Sequence, residues 1–514
     1  MSSKEVVTKT YGAEVEKPIV ENRTGKTGVV TNAVFDTLQR VAQSSGEVGL
    51  KFHLSDIDET QILGVVSTVG EQGLDNGRNN QETATRVTRS LAELEQVLAT
   101  DARWLIEAFN EHGLAAVNLA IHPLGRRDME TYRRLVVPKG IYPYLWDRGW
   151  DHSAGIDASA QNSASTGVRV EYAARAASVV IGAGAAFVGI FGNSPFQEGQ
   201  RSGYKEARLT MWDRMLSGSK VPGDFTTSLF PDKPFTSLAD YYRWMFGEGT
   251  GMHFILGEGA EGGGYKGNGN KLLVVEGNPP FLDYLAGGER EARYLSDIKE
   301  GRQDLHRIRP VLGQMEPLQF AQFAGARVRY AFKESANTVD VKEFVRACKG
   351  EDSKTVEELL EPHVASMWIE GRDPGNNLPD AAMVHEVGEQ FARSARIGPS
   401  AIQAGLLQNF GAAEALIRSY NWHDLAGLRQ AAIKDGMQGE FNGIAVRSFA
   451  EKVLQVAGEG LSAEEHWMLL YAQGVVATGK NGADRAIQFV DDSQHATPLE
   501  RSLAELVKRR RMVL

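Results

Sequence analysis

The turn after an apolar run at residues 176–191 has residue types suited to gripping an anion. Residues 192–199 include Asn193, Ser194, a proline and two glycines, and Arg208 follows a few residues later. Proline fixes φ and glycine permits positive φ, so such a turn can aim backbone N–H groups at a ligand. A guanidinium can pair with two oxygens of a carboxylate or phosphate. A surface turn with a solvated arginine is the alternative.

Two predicted strands present charged side chains on one face. Period-two alternation puts Glu14 and Glu16 together on a strand over residues 11–20, and Glu370 and Arg372 together on another. Carboxylate oxygens suit hard cations such as Mg²⁺, and a guanidinium beside a carboxylate suits phosphate oxygens. The alternatives are an exposed edge strand at the first position and a cross-strand ion pair at the second.

A third acidic region and a strand of small residues lie between these two. Residues 70–82 are polar and glycine-rich and contain Glu71, Asp75 and Glu82. Glu82 is also compatible with the first turn of the helix predicted over residues 87–112, where a carboxylate favours the helix dipole. Residues 155–165 are predicted to form a strand whose short side chains leave room for a ligand beside Gln161.

Composition excludes several classes of protein. The net charge of −10 argues against a nucleic-acid surface, and the single cysteine, Cys348, excludes an internal disulfide and a cysteine-based zinc site. Residues 1–10 lack an apolar targeting segment, so a cytoplasmic location is expected. The apolar run at residues 176–192 is short and interrupted by glycines, which favours a buried helix over a membrane span.

The motifs together resemble those of the plant-type and bacterial glutamate-cysteine ligases, over residues 11–461. The Asn-Ser-Pro-Phe turn at residues 193–196 is spaced from Gly199, Gly203, Arg208 and Trp212 as in that family. Gly12, Glu14 and Glu16 match a Gly-x-Glu-x-Glu motif in the family's first strand. Glu370, Arg372 and Asp373 match its Glu-x-Arg and nearby aspartate.

The resemblance implies roles for particular residues. The implied metal ligands are Glu14, Glu16 and Glu370, with two of Glu71, Asp75 and Glu82; which two stays open, because the family's Glu-Pro-Gly-Gly-Gln-x-Glu strand is altered here. Gln161, Asn193, Ser194 and Arg372 are expected to bind the nucleotide, and Arg208, Arg372 and Glu370 to act in catalysis.

The expected fold is α+β, with a curved, largely antiparallel sheet of the glutamine-synthetase kind, helices packed behind it and a helical C-terminal part. We expect a single catalytic domain over residues 8–480, with a charged, helical insertion at about residues 295–362. Residues 481–514 are expected to form a tail.

The implied activity is that of an ATP-dependent ligase that uses ATP and Mg²⁺. It would activate the γ-carboxylate of L-glutamate as an acyl phosphate and join it to cysteine, as in glutathione biosynthesis. Small molecules are the expected partners, without nucleic acid or membrane, and the oligomeric state stays open. The alternatives are a ligase for a different amine and a non-catalytic nucleotide-binding relative.

Overall fold

The computed structural model describes residues 5–155, 159–258, 260, 268–494 and 498–514. Its strands, numbered along the chain, are β1 Val7–Glu21, β2 Lys51–Leu54, β3 Ile62–Ser67, β4 Gly70–Leu74, β5 Asn80–Thr85, β6 Leu114–Ala116, β7 Asn162–Val168, β8 Phe196–Gln197, β9 Gln200–Arg201, β10 Ile255–Leu256, β11 Leu272–Val275, β12 Arg290–Tyr294, β13 His306–Ile308, β14 Ala326–Phe332, β15 Val364–Gly371, β16 Glu440–Phe441 and β17 Ile444–Ala445.

The helices are numbered in the same way. They are α1 Asn32–Ser44, α2 Leu91–Glu111, α3 Met129–Leu135, α4 Ile141–Asp147, α5 Ala173–Gly182, α6 Gly184–Phe191, α7 Met211–Leu216, α8 Pro222–Thr226, α9 Leu238–Phe246, α10 Phe281–Ala286, α11 Leu295–Lys299, α12 Val341–Lys349, α13 Val356–Leu360, α14 Ala381–Val387, α15 Glu389–Gln408, α16 Phe410–Arg418, α17 Trp422–Asp435, α18 Val446–Gly460, α19 Leu470–Thr478, α20 Gly482–Gln494 and α21 Leu499–Arg509.

Within the described residues, nine strands form one antiparallel sheet around β1. The order is β14-β15-β7-β1-β5-β4-β3-β2, and β6 pairs with the C-terminal end of β1. Helices α5 and α15 pack against β14, β15, β7 and β1, while α1 and α2 cover the strands on the other side of β1. The predicted α+β class, with a largely antiparallel sheet and helices packed behind it, is confirmed.

The two faces of β1 meet different surroundings, as the alternation predicts. Val15 and Lys17 face the helices, where Lys17 pairs with Asp101 of α2. Glu14 and Glu16 lie on the opposite face and line a cavity. Because side chains alternate along a strand, one run of residues supplies both a packed layer and a charged surface.

Two segments differ from the sequence predictions. Residues 295–362 were expected to be mostly helical, but they contain β13 and also β14, an end strand of the main sheet. Residues 481–514, expected as a tail, contain α20 and α21, whose Ala486, Val490 and Leu503 pack in a core cluster with Phe196. Both segments are rich in polar residues, so their buried apolar positions were not recognised from the sequence. The domain boundaries themselves stay a prediction.

The apolar run at residues 176–191 is divided between two buried helices, α5 and α6, rather than forming one. Residues Val170–Gly182 and Gly184–Phe191 meet at a bend of 46°. In the described part of the chain, no single helix is long and apolar enough to cross a membrane, and this bent pair satisfies the criterion only by length and composition.

Candidate active site

The strand register aligns charged side chains in rows across one face of the sheet. Glu16 pairs with Glu82 of β5, and Glu14 pairs with Ser163 of β7. Farther along the sheet, Glu370 pairs with Ser165 on one side and with Arg327 on the other. The small residues of β7 therefore separate an acidic group of side chains from a group that contains arginines.

A cavity of about 290 Å³ lies over this face. Its other walls come from α4, from Trp150 and Trp212, and from a 3₁₀ segment, Leu312–Ala321. The lining residues are Glu14, Glu16, Asp75, Asn76, Glu82, Ile141, Tyr142, Leu145, Trp150, His152, Ser159, Gln161, Arg208, Trp212, Glu316, Pro317, Phe320, Phe323, Arg327, Arg329 and Arg372.

The acidic cluster consists of Glu16, Asp75 and Glu82. Each offers a carboxylate oxygen, and these oxygens all lie within 4.8 Å of one another. Burial, and then the neighbouring Asp75 and Glu82, raise the pKa of Glu16 well above its ordinary value. Three oxygen ligands at this spacing, with their mutual repulsion, fit a hard divalent cation.

Asp75 reaches this cluster from the loop after β4. The Nζ atom of Lys139 donates to the Leu74 carbonyl at 3.1 Å, and the hydroxyl of Tyr142 donates to the Asp75 carbonyl at 3.1 Å. Glu82 lies on β5, nine residues before α2 begins at Leu91, so its alternative placement in the first turn of that helix is wrong.

Glu71 is on the same sheet face but does not line the cavity. Its Oε1 atom lies 2.5 Å from Nδ1 of His53, which comes from β2. Of the three acidic residues between 70 and 82, the structure therefore brings Asp75 and Glu82 to the cavity and directs Glu71 to a neighbouring histidine. A metal role for Glu71 is not supported.

The arginine cluster surrounds the buried carboxylate of Glu370. Its oxygens lie 2.7 Å from Nη2 of Arg327, 3.0 Å from Nη1 of Arg372 and 3.3 Å from Nε of Arg329. Burial alone would raise the pKa of Glu370, but these guanidinium groups lower it to about 2. Glu370 therefore stays ionised and neutralises one of three positive charges. Because a cation there would face all three, the predicted metal role of Glu370 is not supported.

Arg327 and Arg329 were not predicted as site residues from the sequence. They lie on β14, within the segment that was interpreted as a helical insertion. The signal was present, because the Arg-Val-Arg alternation at residues 327–329 places both arginines on one strand face. The residues near Arg327 in the sequence do not show whether this strand face is buried or exposed to solvent. The carboxylate that neutralises the arginines belongs to Glu370, which is 43 residues from Arg327.

The turn at residues 192–199 supports the site through hydrogen bonds without lining the cavity. The Asn193 amide donates to the Asn118 and Asn376 carbonyls, and the Ser194 hydroxyl donates to Glu206 at 3.0 Å. Neither side chain lines the cavity, so a direct nucleotide contact from Asn193 or Ser194 is not supported. Gly199 and Gly203 have positive φ, as the turn chemistry predicts.

Arg208 does reach the cavity, held by a carboxylate that the sequence did not reveal as its partner. Its Nε atom donates to Oε1 of Glu206 at 2.8 Å, and Nη2 donates to the carbonyls of Arg372 and Asp373. Both Arg208 and Glu206 are buried, and burial raises the pKa of Glu206. These contacts fix the plane of the guanidinium toward the cavity.

Gln161 and Asp373 flank the two charged clusters. Gln161 lines the cavity, and its backbone N–H donates to Oε2 of Glu16 at 3.1 Å. Asp373 instead pairs with Arg429 of α17, with Oδ1 3.0 Å from Nε. The predicted strand around Gln161 begins at Asn162, and residues 156–158 lie outside the described part of the chain.

An aromatic wall completes the cavity. Trp212 stacks on Phe323 with ring centroids 4.4 Å apart, and the guanidinium of Arg372 lies 5.5 Å from the centre of the Phe323 ring. Trp150 is fixed by an N–H bond to Asp224 at 2.7 Å. Burial lowers the pKa of the neighbouring His152 to about 4, so this imidazole is neutral at pH 7.

The comparisons with known proteins agree with the motifs. Residues 10–246 match the model of glutamate-cysteine ligase family 2, which confirms the predicted resemblance over the part of the chain that carries Glu16, Asp75, Glu82 and Arg208. Among proteins with curated functions, none matches the sequence.

Two of the solved structures that are similar to the chain show how low the overall similarity is. One is a glutamate-cysteine ligase from Francisella tularensis in complex with AMP, with a TM-score of 0.49, 9% identity, and coverage of 98% of this chain and 88% of that one. The other is a bifunctional glutathione synthetase from Pasteurella multocida, with a TM-score of 0.40 and 10% identity. The match to the second covers 97% of this chain and 52% of that one. At these values neither likeness bears on function.

Proposed function

We propose that the protein is an ATP-dependent carboxylate–amine ligase that activates the γ-carboxylate of L-glutamate and joins it to an amine, with cysteine as the first candidate. The observation that carries the proposal is the single cavity in which three clustered carboxylates face four arginines. The family match over residues 10–246 supports the ligase class.

The acidic cluster is suited to the metal that such a reaction uses. Glu16, Asp75 and Glu82 would hold Mg²⁺, because hard oxygen ligands at this spacing fit the ion. When bound, Mg²⁺ would neutralise charge on the phosphate oxygens of ATP.

The arginine cluster is suited to the transferred phosphoryl group. A carboxylate oxygen of the acid substrate attacks the γ-phosphorus, ADP leaves, and an acyl phosphate forms. Arg327, Arg329 and Arg372 together retain positive charge after pairing with Glu370, and their guanidinium groups would donate to the phosphoryl oxygens as charge develops. Since Glu370 holds them in place, little reorganisation is needed.

Arg208 and the aromatic wall would complete the reaction. The fixed guanidinium of Arg208 would orient a carboxylate of the acid substrate, because two of its edges are already held by Glu206 and backbone carbonyls. The rings of Trp150, Trp212 and Phe323 would exclude water, which otherwise hydrolyses an acyl phosphate. An amine then attacks the acyl carbon and phosphate leaves.

A second candidate is a ligase for a different amine. The segment at residues 295–362, which the resemblance implied to be an insertion, supplies Glu316 and Phe320 as well as β14 and so forms a wall of the cavity. Such a wall would change which acceptor fits.

The test is ADP release with ATP, Mg²⁺, L-glutamate and a panel of amines, with mass spectrometry of the products. Acid- and amine-dependent ADP release, abolished by excess chelator, is expected. Full activity in chelator would contradict the metal assignment, and no ADP release with any amino dicarboxylate would contradict the acid assignment.

A further inference from the structure

His152 is a buried polar side chain in the cavity wall that the proposed steps do not use. It is 2% exposed. Aromatic rings enclose it, with centroid distances of 5.3 Å to Tyr142 and 6.1 Å to both Tyr132 and Trp150. Among the described residues, neither ring nitrogen has a hydrogen-bond partner.

An unpaired polar group in an aromatic enclosure is unfavourable for folding, because its hydrogen bonds to water are lost without replacement. A phenylalanine would fill the same space without that loss. Since His152 lines the cavity, a bound ligand can supply the missing partner.

The carboxylates that line the cavity have other interactions. Glu16, Asp75 and Glu82 form the cation cluster, and Glu316 accepts the backbone N–H of Phe332 at 3.0 Å. Glu14 interacts electrostatically with Arg327 and Arg372. The neutral imidazole of His152 has one N–H donor and one acceptor nitrogen. An acceptor nitrogen is suited to a ligand N–H.

His152 belongs to the reacting end of the cavity. Its ring packs against Tyr142 at 5.3 Å between centroids, and the Tyr142 hydroxyl donates to the Asp75 carbonyl at 3.1 Å. His152 therefore lies near the cation cluster, where the phosphates of ATP would end. A ligand group that reaches His152 is therefore beside the acyl phosphate rather than at the base of the nucleotide. In a carboxylate–amine ligase, the N–H group needed there belongs to the acceptor amine.

We propose that His152 binds the acceptor amine, accepting a hydrogen bond from its N–H so that the nitrogen lone pair points at the acyl carbon. This proposal rests on the ligase function. The C–N bond forms as the bond between the acyl carbon and the phosphate oxygen breaks. Phosphate leaves with that electron pair and takes up the proton that the nitrogen loses, so His152 needs only to orient the amine.

The test compares His152→Phe with His152→Gln. The phenylalanine keeps the aromatic packing and removes both nitrogens, whereas the glutamine keeps a neutral acceptor. His122→Asn is the matched control, because His122 is also buried, its pKa is also lowered to about 4, and it does not line the cavity. Melting temperatures of all variants report on folding.

Two measurements distinguish formation of the acyl phosphate from binding of the acceptor amine. Hydroxylamine in excess traps an acyl phosphate as a hydroxamate and reports on its formation, and KM for the best amine of the panel reports on acceptor binding. His152→Phe is expected to raise the amine KM about tenfold, as for loss of one hydrogen bond. Hydroxamate formation and KM for ATP are expected to stay within twofold, with a smaller change in His152→Gln and none in His122→Asn.

An unchanged amine KM in a folded His152→Phe protein would overturn the proposal. A rise in KM for ATP instead would also overturn it, since His152 would then contact the nucleotide. If the unaltered protein gives no acid-dependent hydroxamate, both this proposal and the ligase function fail, whereas hydroxamate with an unchanged amine KM rejects the role of His152 alone.

Discussion

Glu16 and Lys17 are neighbours on β1, both buried, and they differ in whether the chain neutralises them. Lys17 donates to Val15, Gln81 and Thr83 at 2.9–3.0 Å and lies 3.4 Å from Asp101. Glu16, on the other face, lies beside two further carboxylates, and its pKa is raised by burial and then by these neighbours. A buried charge that the fold itself neutralises is structural, whereas a buried cluster of charges of one sign indicates a binding site for a ligand of the opposite charge.

The comparison predicts opposite outcomes for the two residues, and the largest is at Lys17. Lys17→Met is expected to lower the free energy of unfolding by about 3–5 kcal/mol, because it leaves the buried Asp101 unpaired. Denaturant unfolding measures this loss. The double variant with Asp101→Asn is expected to recover most of it; a double variant as unstable as the single one would show that Lys17 acts by packing instead.

Glu16→Gln is expected to reduce catalysis while stabilising the fold, which is the opposite of the effect on stability expected for Lys17→Met. Turnover should fall on the order of 100- to 1000-fold, since the cation cluster loses a charged ligand. The melting temperature measured without Mg²⁺ should rise, because a carboxyl group whose pKa is raised by folding is destabilising when ionised at neutral pH, and glutamine removes that charge. Normal turnover, or a lower melting temperature without Mg²⁺, would place Glu16 with Lys17 as a structural residue.

The arginine cluster lies between these two cases, because Glu370 neutralises it only in part. Arg372→Lys keeps the charge but loses the two-pronged geometry, so we expect the barrier for ADP formation to rise by on the order of 2 kcal/mol. Steady-state kinetics with ATP and L-glutamate measure it. A lower melting temperature with unchanged turnover would show that Arg372 serves only to pair with Glu370.

The smallest expected effect concerns a neutral buried group. The pKa of His122 is lowered to about 4 by burial, so below pH 6.5 the unfolded chain binds a proton that the folded chain does not. Stability is therefore lost as pH falls toward 4. Between pH 6.5 and 5.5 this histidine contributes a loss of about 1 kcal/mol. Urea unfolding of His122→Gln across that range should show a shallower pH dependence; parallel curves would contradict the assignment.

The strands that carry Glu14, Glu16 and Glu370 were predicted from the sequence, because alternation is a local signal. Arg372 directly follows the last of these strands. The sequence did not predict which groups meet. Arg327 and Glu370 become partners through the pairing of β14 with β15, and Asn193 reaches Asn376 across 183 residues. Because of these contacts, Glu370 pairs with arginines instead of facing the acidic cluster, and Asn193 stabilises the turn instead of lining the cavity.

The aromatic wall of the cavity could not be predicted from the sequence either. Trp150 and His152 follow α4, whereas Phe323 follows the 3₁₀ segment Leu312–Ala321, and the two groups share no sequence pattern. They meet only because α4 and that segment fold over the sheet. Resemblance to a family supplied the ligase expectation, and alternation supplied two of the charged strands. The enclosure that would protect an acyl phosphate is a property of the tertiary fold.

The place of β14 and β15 at one end of the sheet has a consequence for synthesis on the ribosome. Glu82 and Arg327 are 245 residues apart (327 − 82). At roughly 5–20 residues per second, the acidic strands therefore emerge about 12–50 s before the first arginine strand. β7 has no partner on one side until β15, which follows β14 in the chain, has emerged as well. An unpaired strand can recruit other chains, so the nascent protein is most exposed to aggregation just before its positive charges arrive.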